Sequence, residues 1–312
     1  MASDASNRFN YSLFFKGSDA FYDLRINDVS VWKEFDANPS SKGVPVTHFL
    51  QTGLNTLSVT FVSVMGDPYA YNAPNPAFFF EAELDRRVQG HDSGKEITLI
   101  NAGLDALTNT VVFPDARQGG APFKSRNNPP MRVGLPTLDD STLQSGWGDT
   151  WQARRITVSF EINDALPTAP YADAPKLDAS TEFKAELLQA YQTVQTAIAA
   201  GDTAQVRALY GPAWSRIATA LHYANVDEFM ERGEIAGALA ATNDQGQTVQ
   251  PLDLVLGPQA FQVDFMADGR LARIIPDPII WSDGTADSGV SASAIGFFRD
   301  TDGALRIGVV TY

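Results

Sequence analysis

The chain is predicted to form two domains, an all-β antiparallel sandwich followed by an α+β domain whose helices pack on a curved antiparallel sheet. The prediction rests on a change of apolar period: up to residue 164 it is that of strands, and from residue 177 it is first helical and then strand-like again. Three prolines in the stretch 165–176 forbid a regular helix or a central strand there. We therefore predict a sandwich over 8–164, a proline-rich, extended and semi-rigid linker over 165–176, and the α+β domain over 177–312.

Short alternating runs rich in β-branched and aromatic residues predict the strands of the first domain. They are bounded by Gly, Asn, Asp or Pro, and they begin at Tyr11, Tyr22, Leu57, Phe78, Ile97 and Ile156. No helical-period window of useful length separates these runs. Antiparallel strands are therefore favoured over a parallel sheet with crossover helices.

At the start of the second domain, apolar residues recur with the spacing of an α-helix. Ser180 or Thr181 is predicted to cap a first helix that buries one apolar face and ends at Gly201. Asp202, with Gln205 three residues later, is predicted to cap a second helix.

Two further helices are expected beyond that point. Gly211 and Pro212 should interrupt the second helix, because proline is tolerated in a first turn and not in a helix interior. A separate helix is then expected over 214–223, and Asp227 is expected to cap another that runs towards residue 239.

From residue 252, apolar residues again recur with the spacing of β-strands. The predicted strands cover 252–256, 261–267, 270–275, 279–282, 291–299 and 304–311. Asp-Gly pairs at 268–269 and 302–303 lie between alternating runs, a strong hairpin signal. Helices followed by antiparallel strands are typical of an α+β layer.

Composition and charge exclude several classes of partner. Hydrophobic residues make up 44% of the chain and charged residues 19%, which is ordinary for a globular protein. The formal net charge is -14, and acidic residues exceed basic ones in both halves. Neither half has the basic surface that a nucleic acid requires, and Coulomb repulsion disfavours an anionic membrane. No apolar stretch approaches the length of a membrane span, so membrane insertion is not expected.

The chain contains no cysteine, which removes disulfides, thiolate nucleophiles and cysteine metal ligands. This favours a periplasmic or secreted protein over a cytoplasmic one, although chance produces such a composition in many cytosolic chains. The small, polar start of the chain also fits a mature terminus to which an initiator Met was added after removal of a signal peptide.

One segment of the first domain resembles the galactose-binding-like jelly-roll domains. It reads Tyr-Asp-Leu-Arg-Ile-Asn-Asp-Val from residue 22, and later Leu-Gln-Thr-Gly-Leu-Asn-Thr-Leu-Ser-Val from residue 50. Asn27 and Asp28 tolerate left-handed dihedrals in a tight turn, and Gly53 allows a positive φ before Asn55.

Members of that family commonly bind sugars on aromatic platforms. The resemblance implies a ligand face with these candidates: Trp32, Tyr69, Tyr71, Trp147 and Trp151. The alternative is that these aromatic residues pack in the core or in loops.

The second domain resembles the NTF2-like (cystatin-like) superfamily in its element order and in the phrase Ala-Ile-Ala-Ala-Gly-Asp-Thr-Ala-Gln-Val-Arg-Ala-Leu-Tyr from residue 197. Catalytic members of that superfamily hold a small hydrophobic substrate inside a cone, and many others only bind or dimerise. The resemblance implies ligand-binding candidates at Tyr191, Trp214 and His222, the last on a helix that lines the cone. No catalytic motif of the superfamily is matched, so no catalytic residue is predicted.

Metal and cofactor sites are not predicted. The histidines at 48, 91 and 222 lie far apart, without the spacing of metal ligands, and the chain has no P-loop or dinucleotide fingerprint. We therefore expect a non-catalytic bacterial binding protein with a protein partner, such as an acidic inhibitor or immunity-type protein steered to a basic toxin.

Two alternatives remain open. The second domain could be an enzyme or carrier for a small hydrophobic molecule, with a cavity of about 300 Å³ or more lined by Tyr191, Trp214, His222 and an Asp. The first domain could instead be a sugar-binding module, which predicts an exposed pair of aromatic residues.

Overall fold

The computed structural model describes residues 8–88, 95–113, 132–145, 149–256, 261–284 and 291–311. Antiparallel sheets predominate, as predicted, and the α-helices of the described ranges all follow residue 180. The chain divides into two compact units. The first unit comprises Met1–Ser145 with Thr150–Pro167, and the second contains Thr168–Tyr312.

The first unit contains two antiparallel sheets. Its strands are β1 (Phe9–Ser18), β2 (Ala20–Ile26), β3 (Val29–Glu34), β4 (Ser40–Pro45), β5 (Gly53–Met65), β6 (Ala70–Tyr71), β7 (Phe79–Val88), β8 (Lys95–Leu104), β9 (Val111–Val112), β10 (Thr137–Gln144) and β11 (Thr150–Ile162). One sheet has the order β4-β1-β7-β8-β9 and the other the order β10-β11-β5-β2-β3, with β6 paired to β5. A 3-10 turn, Thr47–Phe49, precedes β5.

The two sheets share an apolar core, which makes the first unit a sandwich. The ring of Tyr22 on β2 packs edge-on against Phe80 on β7, with ring centroids 5.2 Å apart. Leu24 and Ile26 follow on the same face of β2 and are fully buried. Because side chains alternate along a strand, Phe21 and its neighbours at i+2 lie on the opposite, outer face of the β2 sheet.

The turn chemistry predicted from the sequence is confirmed. Asn27 and Asp28 both have positive φ, at 51° and 62°, between the hairpin strands β2 and β3. The Asn27 side chain donates to Asn55 Oδ1 over 2.9 Å and to the Phe49 carbonyl over 3.0 Å. Gly53 has φ 90°, a value that a side chain would strain.

The second unit combines helices with antiparallel sheets. Its helices are α1 (Thr181–Ala199), α2 (Thr203–Ala220), α3 (Val226–Arg232), α4 (Ile235–Ala238) and α5 (Leu252–Leu256). Its strands are β12 (Thr248–Val249), β13 (Gln262–Met266), β14 (Leu271–Ile275), β15 (Ile280–Ser282), β16 (Ser291–Ala292), β17 (Ala294–Arg299) and β18 (Leu305–Thr311). The sheets have the orders β13-β14-β17-β18 and β12-β15-β16. One core of buried side chains joins the helices to the strands.

Helix caps in this unit follow the sequence signals. The Ser180 hydroxyl accepts a hydrogen bond from the Phe183 amide, and the Asp202 carboxylate accepts one from the Gln205 amide. Both caps satisfy an amide that the first turn of a helix leaves without a partner.

The predicted break at Pro212 is wrong, because α2 runs through it as one helix. Proline in a helix interior costs about 3 kcal/mol, since it removes one backbone hydrogen bond and crowds the preceding turn. Tyr210 and Trp214 flank Pro212, are buried, and stack with ring centroids 4.8 Å apart. Burying two large aromatic side chains on one helix face outweighs the cost of the proline.

Three other boundaries differ from the prediction. Leu252–Leu256 is the short helix α5 and not a strand. In so short an apolar run, the spacing of apolar residues alone does not distinguish a helix from a strand. Asn225 caps α3, in place of Asp227, which lies in the first turn. The helix expected to reach residue 239 is broken after Arg232, and Glu234 has φ 52° between α3 and α4.

The proline-rich stretch 165–176 is less extended than predicted. Its first part is held by Thr52, whose hydroxyl donates to the Asp164 carbonyl and accepts from the Leu166 amide, both over 2.9 Å. Further on, Tyr171 is buried, and hydrogen bonds at residues 169–174 form turns around it. Tyr171 therefore gives this stretch a large buried anchor.

Candidate functional site

Five aromatic rings meet on the outer face of the β2 sheet. We call them the aromatic patch: Phe21, Phe35, Tyr69, Tyr71 and Trp151. The ring of Phe21 is central, and its centroid lies 5.5 to 6.1 Å from those of the other four. The outer rings also contact one another in the order Phe35, Trp151, Tyr71 and Tyr69, with the centroids of Tyr71 and Trp151 5.6 Å apart.

The patch rests on a small hydrophobic cluster that is separate from the sandwich core. Its buried members beneath Phe21 are Val62, Val64, Leu143 and Ala153, which come from β5, β10 and β11. Four strands, β2, β5, β10 and β11, and the segments that follow β3 and β5 thus supply one surface. Because successive side chains point to opposite faces of a strand, only every second residue of each strand lies on this outer face.

A pinned loop presents the two tyrosines. Tyr71 pairs with Val64 across the short β5–β6 ladder. The side-chain amide of Asn72 donates to the Gln152 carbonyl over 2.8 Å, and that of Asn75 donates to the Val64 carbonyl over 2.7 Å. These bonds tie the loop to β11 and to β5, so the rings are held in place before any partner arrives.

Exposure differs sharply within the patch. Phe21 is 6% exposed, whereas Tyr69 and Tyr71 are 44% and 45% exposed. The patch therefore has a buried centre that fixes the geometry and an outer layer of large side chains open to solvent. Clustered exposure of this kind is informative, unlike single exposed apolar residues.

Acidic residues flank the patch in the sequence. Asp36 follows Phe35, Asp67 precedes Tyr69 by two residues, and Asp149 precedes Trp151 by two residues. All three aspartates are exposed. Acidic side chains thus stand within two residues of three members of the patch in the sequence.

Further along β2 the same outer face becomes polar and internally neutral. Arg25 Nε donates to Asp23 Oδ2 over 2.8 Å, and Ser30 Oγ donates to Asp23 Oδ1 over 2.6 Å. All three residues are buried. Because these charges are already paired, this part of the face is a structural support and not a second binding surface.

The structure brings three of the predicted candidates together, namely Tyr69, Tyr71 and Trp151. Trp32 lies elsewhere, with its ring 5.9 Å from Phe15 of the facing sheet and Lys42 Nζ 5.4 Å from its centroid. Trp147 lies outside the described residues.

Sequence reasoning missed Phe21 and Phe35, although a signal for Phe21 exists. In the run Phe-Tyr-Asp-Leu-Arg from residue 21, the period of two places Phe21 on the face opposite Tyr22. A large aromatic residue on the outer face of a half-buried strand indicates that something covers that face.

The three candidates of the second unit do not form one site. Tyr191 is fully buried and structural, since its hydroxyl donates to the Ile295 carbonyl over 2.7 Å and accepts from the Ile274 amide. Burial raises its pKa far above the ordinary value. His222 lies beyond the end of α2 with φ 65°, so the prediction that it belongs to a helix is wrong, whereas its role as a ligand-binding residue stays a prediction. Trp214 does line a cavity, together with Tyr210 and Trp281.

Other kinds of site find no support in the described residues. Within the ranges given above, no three His, Asp or Glu side chains are grouped to hold a metal ion. In those same ranges, no helix has the length and apolarity to cross a membrane. Comparison of the chain with family models, with curated proteins and with solved structures gives no match.

Proposed function

We propose that the protein is a non-catalytic binding protein, and that the aromatic patch binds a protein partner with a basic surface. One observation carries the proposal: a pre-positioned cluster of Tyr, Trp and Phe rings, two of them open to solvent, with acidic residues flanking them. Enzymatic activity is not required to explain this surface.

The composition of the patch favours a protein interface. Trp and Tyr dominate the binding energy of protein interfaces, where they fill pockets of the partner and exclude water. Tyr71 and Trp151 have few rotatable bonds, and their contacts with each other and with Phe21 already fix their rings. Little conformational entropy is therefore lost when a partner is bound.

The charge around the patch favours a basic partner. The flanking aspartates add to a chain with net charge -14, so a cationic protein is attracted from a distance, and salt weakens that attraction. Transient protein interfaces usually have an apolar centre that is surrounded by polar and charged residues. Inhibitors and immunity-type proteins for basic toxins belong to this class.

Ring geometry argues against a sugar as the main ligand. A flat platform for a sugar ring needs aromatic planes that lie nearly parallel. The planes of Tyr69 and Tyr71 are 63° apart, and those of Tyr71 and Trp151 are 34° apart. Such an uneven surface suits protruding side chains better than it suits a flat ring. Sugar binding, and with it the galactose-binding-like assignment of the first unit, stays a prediction, as does the NTF2-like assignment of the second.

Site-specific photocrosslinking tests the proposal. A benzophenone amino acid replaces Tyr69, and the protein is irradiated in lysate of the source organism. We expect a discrete protein adduct whose partner is basic and whose yield falls with salt. The matched control places the same group at Leu54, which is 60% exposed and lies outside the patch.

The second arm uses Trp151→Ala, which removes one ring of the patch, beside Leu138→Ala at another exposed apolar residue of the first unit. The adduct should be lost with Trp151→Ala and kept with Leu138→Ala. Equal adducts at Tyr69 and Leu54, or retention of the wild-type protein on polysaccharide without any protein adduct, would contradict the proposal.

A further inference from the structure

We propose that the second unit holds a binding site for a small organic cation that carries one aromatic or alicyclic ring. The site is a cavity of about 290 Å³ between α2, α4, the loop 243–245 and the strands that follow. It is independent of the aromatic patch, since all of its residues belong to the second unit.

The walls of the cavity are aromatic and rigid. Tyr210 and Trp214 line it as a stacked pair, with ring planes 24° apart. Trp281 lines it from β15, and its indole Nε1 donates to the Ala240 carbonyl over 2.7 Å, which sets the orientation of the ring. A dry cavity of about 150 Å³ accommodates benzene, so 290 Å³ accommodates one ring with a substituent.

Asp244 supplies the only formal charge among the residues that line the cavity. Within the described parts of the chain, no basic side chain forms an ion pair with its carboxylate. Its loop is held by Asn243, whose side-chain oxygen accepts from the amides of Gln245 and Gln247. The carboxylate also lies against Gly237 of α4, where a Cβ atom would overlap with it. The fold thus places an acid at the mouth of an aromatic cavity.

The remaining polar groups of the cavity are neutral. Tyr210 and Ser293 share a hydrogen bond of 3.1 Å between their hydroxyls. Burial raises the pKa of Tyr210 to about 12, so its phenol stays protonated at neutral pH. Arg273 reaches Thr311 at the edge of the cavity, but its guanidinium pairs with Asp264 over 3.1 Å.

The sum of these groups selects a cation. A carboxylate attracts a positive ligand and repels an anion, and the faces of Trp and Tyr rings stabilise a cation as well. The apolar remainder of the wall, which includes Leu239 and Val310, suits the ring of the ligand. An ammonium group on a single-ring body meets both requirements.

Three probes of equal size test the charge preference: benzylammonium, benzyl alcohol and benzoate. Binding is measured on the full chain by NMR, through the indole N–H signals and by titration. We expect benzylammonium to bind at least about tenfold more tightly than benzyl alcohol, because a charge-assisted hydrogen bond is worth more than a neutral one. Benzoate should bind more weakly than either.

Two variants locate the site. Asp244→Asn should lower the benzylammonium affinity to that of benzyl alcohol and leave the alcohol unchanged, whereas Asp253→Asn, an exposed acid outside the cavity, should change neither. Gly237→Ala displaces the carboxylate and should act like Asp244→Asn. Equal affinity for all three probes, no effect of Asp244→Asn, or no binding of benzylammonium at millimolar concentration would overturn the proposal, and none of these results bears on the aromatic patch.

Discussion

The hydroxyl of Tyr11 on β1 donates a hydrogen bond to the carboxylate of Asp164, which lies just beyond the end of β11, 153 positions later in the chain. Arg86 on β7 binds the same carboxylate through Nε over 2.6 Å and through Nη2 over 3.0 Å. Both side chains of this ion pair are largely buried. The carboxylate therefore ties the last strand of one sheet to two strands of the other.

Replacing Asp164 by Asn should destabilise the first unit by about 2–3 kcal/mol, because it leaves the buried Arg86 guanidinium without its counter-charge. Chemical denaturation of the full chain, followed by circular dichroism, measures the change. Glu81→Gln is the matched control, since Glu81 pairs with the half-exposed Lys16 over 2.9 Å. That variant should cost less than about 1 kcal/mol. Equal losses in the two variants would show that the Asp164 pair has no special role.

Tyr22→Phe should change the pH dependence of stability. Burial raises the pKa of Tyr22 from its ordinary value of 10.0 to about 12. Above pH 10 the unfolded chain loses this proton before the folded one does, so wild-type stability falls between pH 10 and 12 and is intact below pH 10. Phenylalanine has no proton to lose.

Relative to wild type, Tyr22→Phe should be less stable by about 1 kcal/mol at pH 8, for want of the hydrogen bond between the Tyr22 hydroxyl and Ser40. By pH 11 the wild type should lose about 1.4 kcal/mol that the variant keeps, so the variant should then be the more stable of the two by about 0.4 kcal/mol. Denaturation at a series of pH values gives both quantities. The exposed Tyr69 is the control, and a Tyr69→Phe difference that shifts equally with pH would refute the assignment to burial.

His222 adopts a left-handed conformation at the C-terminus of α2. The Tyr223 amide bonds to the Ala218 carbonyl and the His222 amide to the Thr219 carbonyl, the pattern that usually has glycine at this position. His222→Gly should therefore be more stable than His222→Ala by about 1 kcal/mol, since both lack the imidazole and only alanine keeps the Cβ atom. Thermal unfolding of the two variants measures the difference, and equal melting temperatures would contradict it.

The two units are predicted to fold separately. Fragments that end at Pro167 and begin at Thr168 should each be soluble and unfold cooperatively, as monitored by circular dichroism. A second fragment that begins at Leu177 lacks the buried Tyr171 and should lose about 3 kcal/mol. Fragments that are unfolded alone and gain structure only when mixed would show that the units share a core.

Much of the secondary structure follows from local chemistry. The turn at Asn27 and Asp28 depends on residues that tolerate positive φ, and the caps at Ser180 and Asp202 depend on short side chains that reach the next turn. These effects act over three or four residues, so they are visible in the sequence. The candidate site is different, because Phe21, Tyr69 and Trp151 come from distant segments that meet only after the strands have paired.

The amino-acid sequence by itself determined the alternation of the strands, the turn at Asn27 and Asp28, the caps at Ser180 and Asp202, the change of period between the halves, and the acidic charge, because each depends on composition or on near neighbours. Only the tertiary structure decided that α2 continues through Pro212, that Tyr171 anchors the proline-rich stretch, and that Asp244 lies at an aromatic cavity. The physical reason is the same in each case. Burial of large side chains against partners far along the chain contributes several kcal/mol, which outweighs the local preference of a single residue.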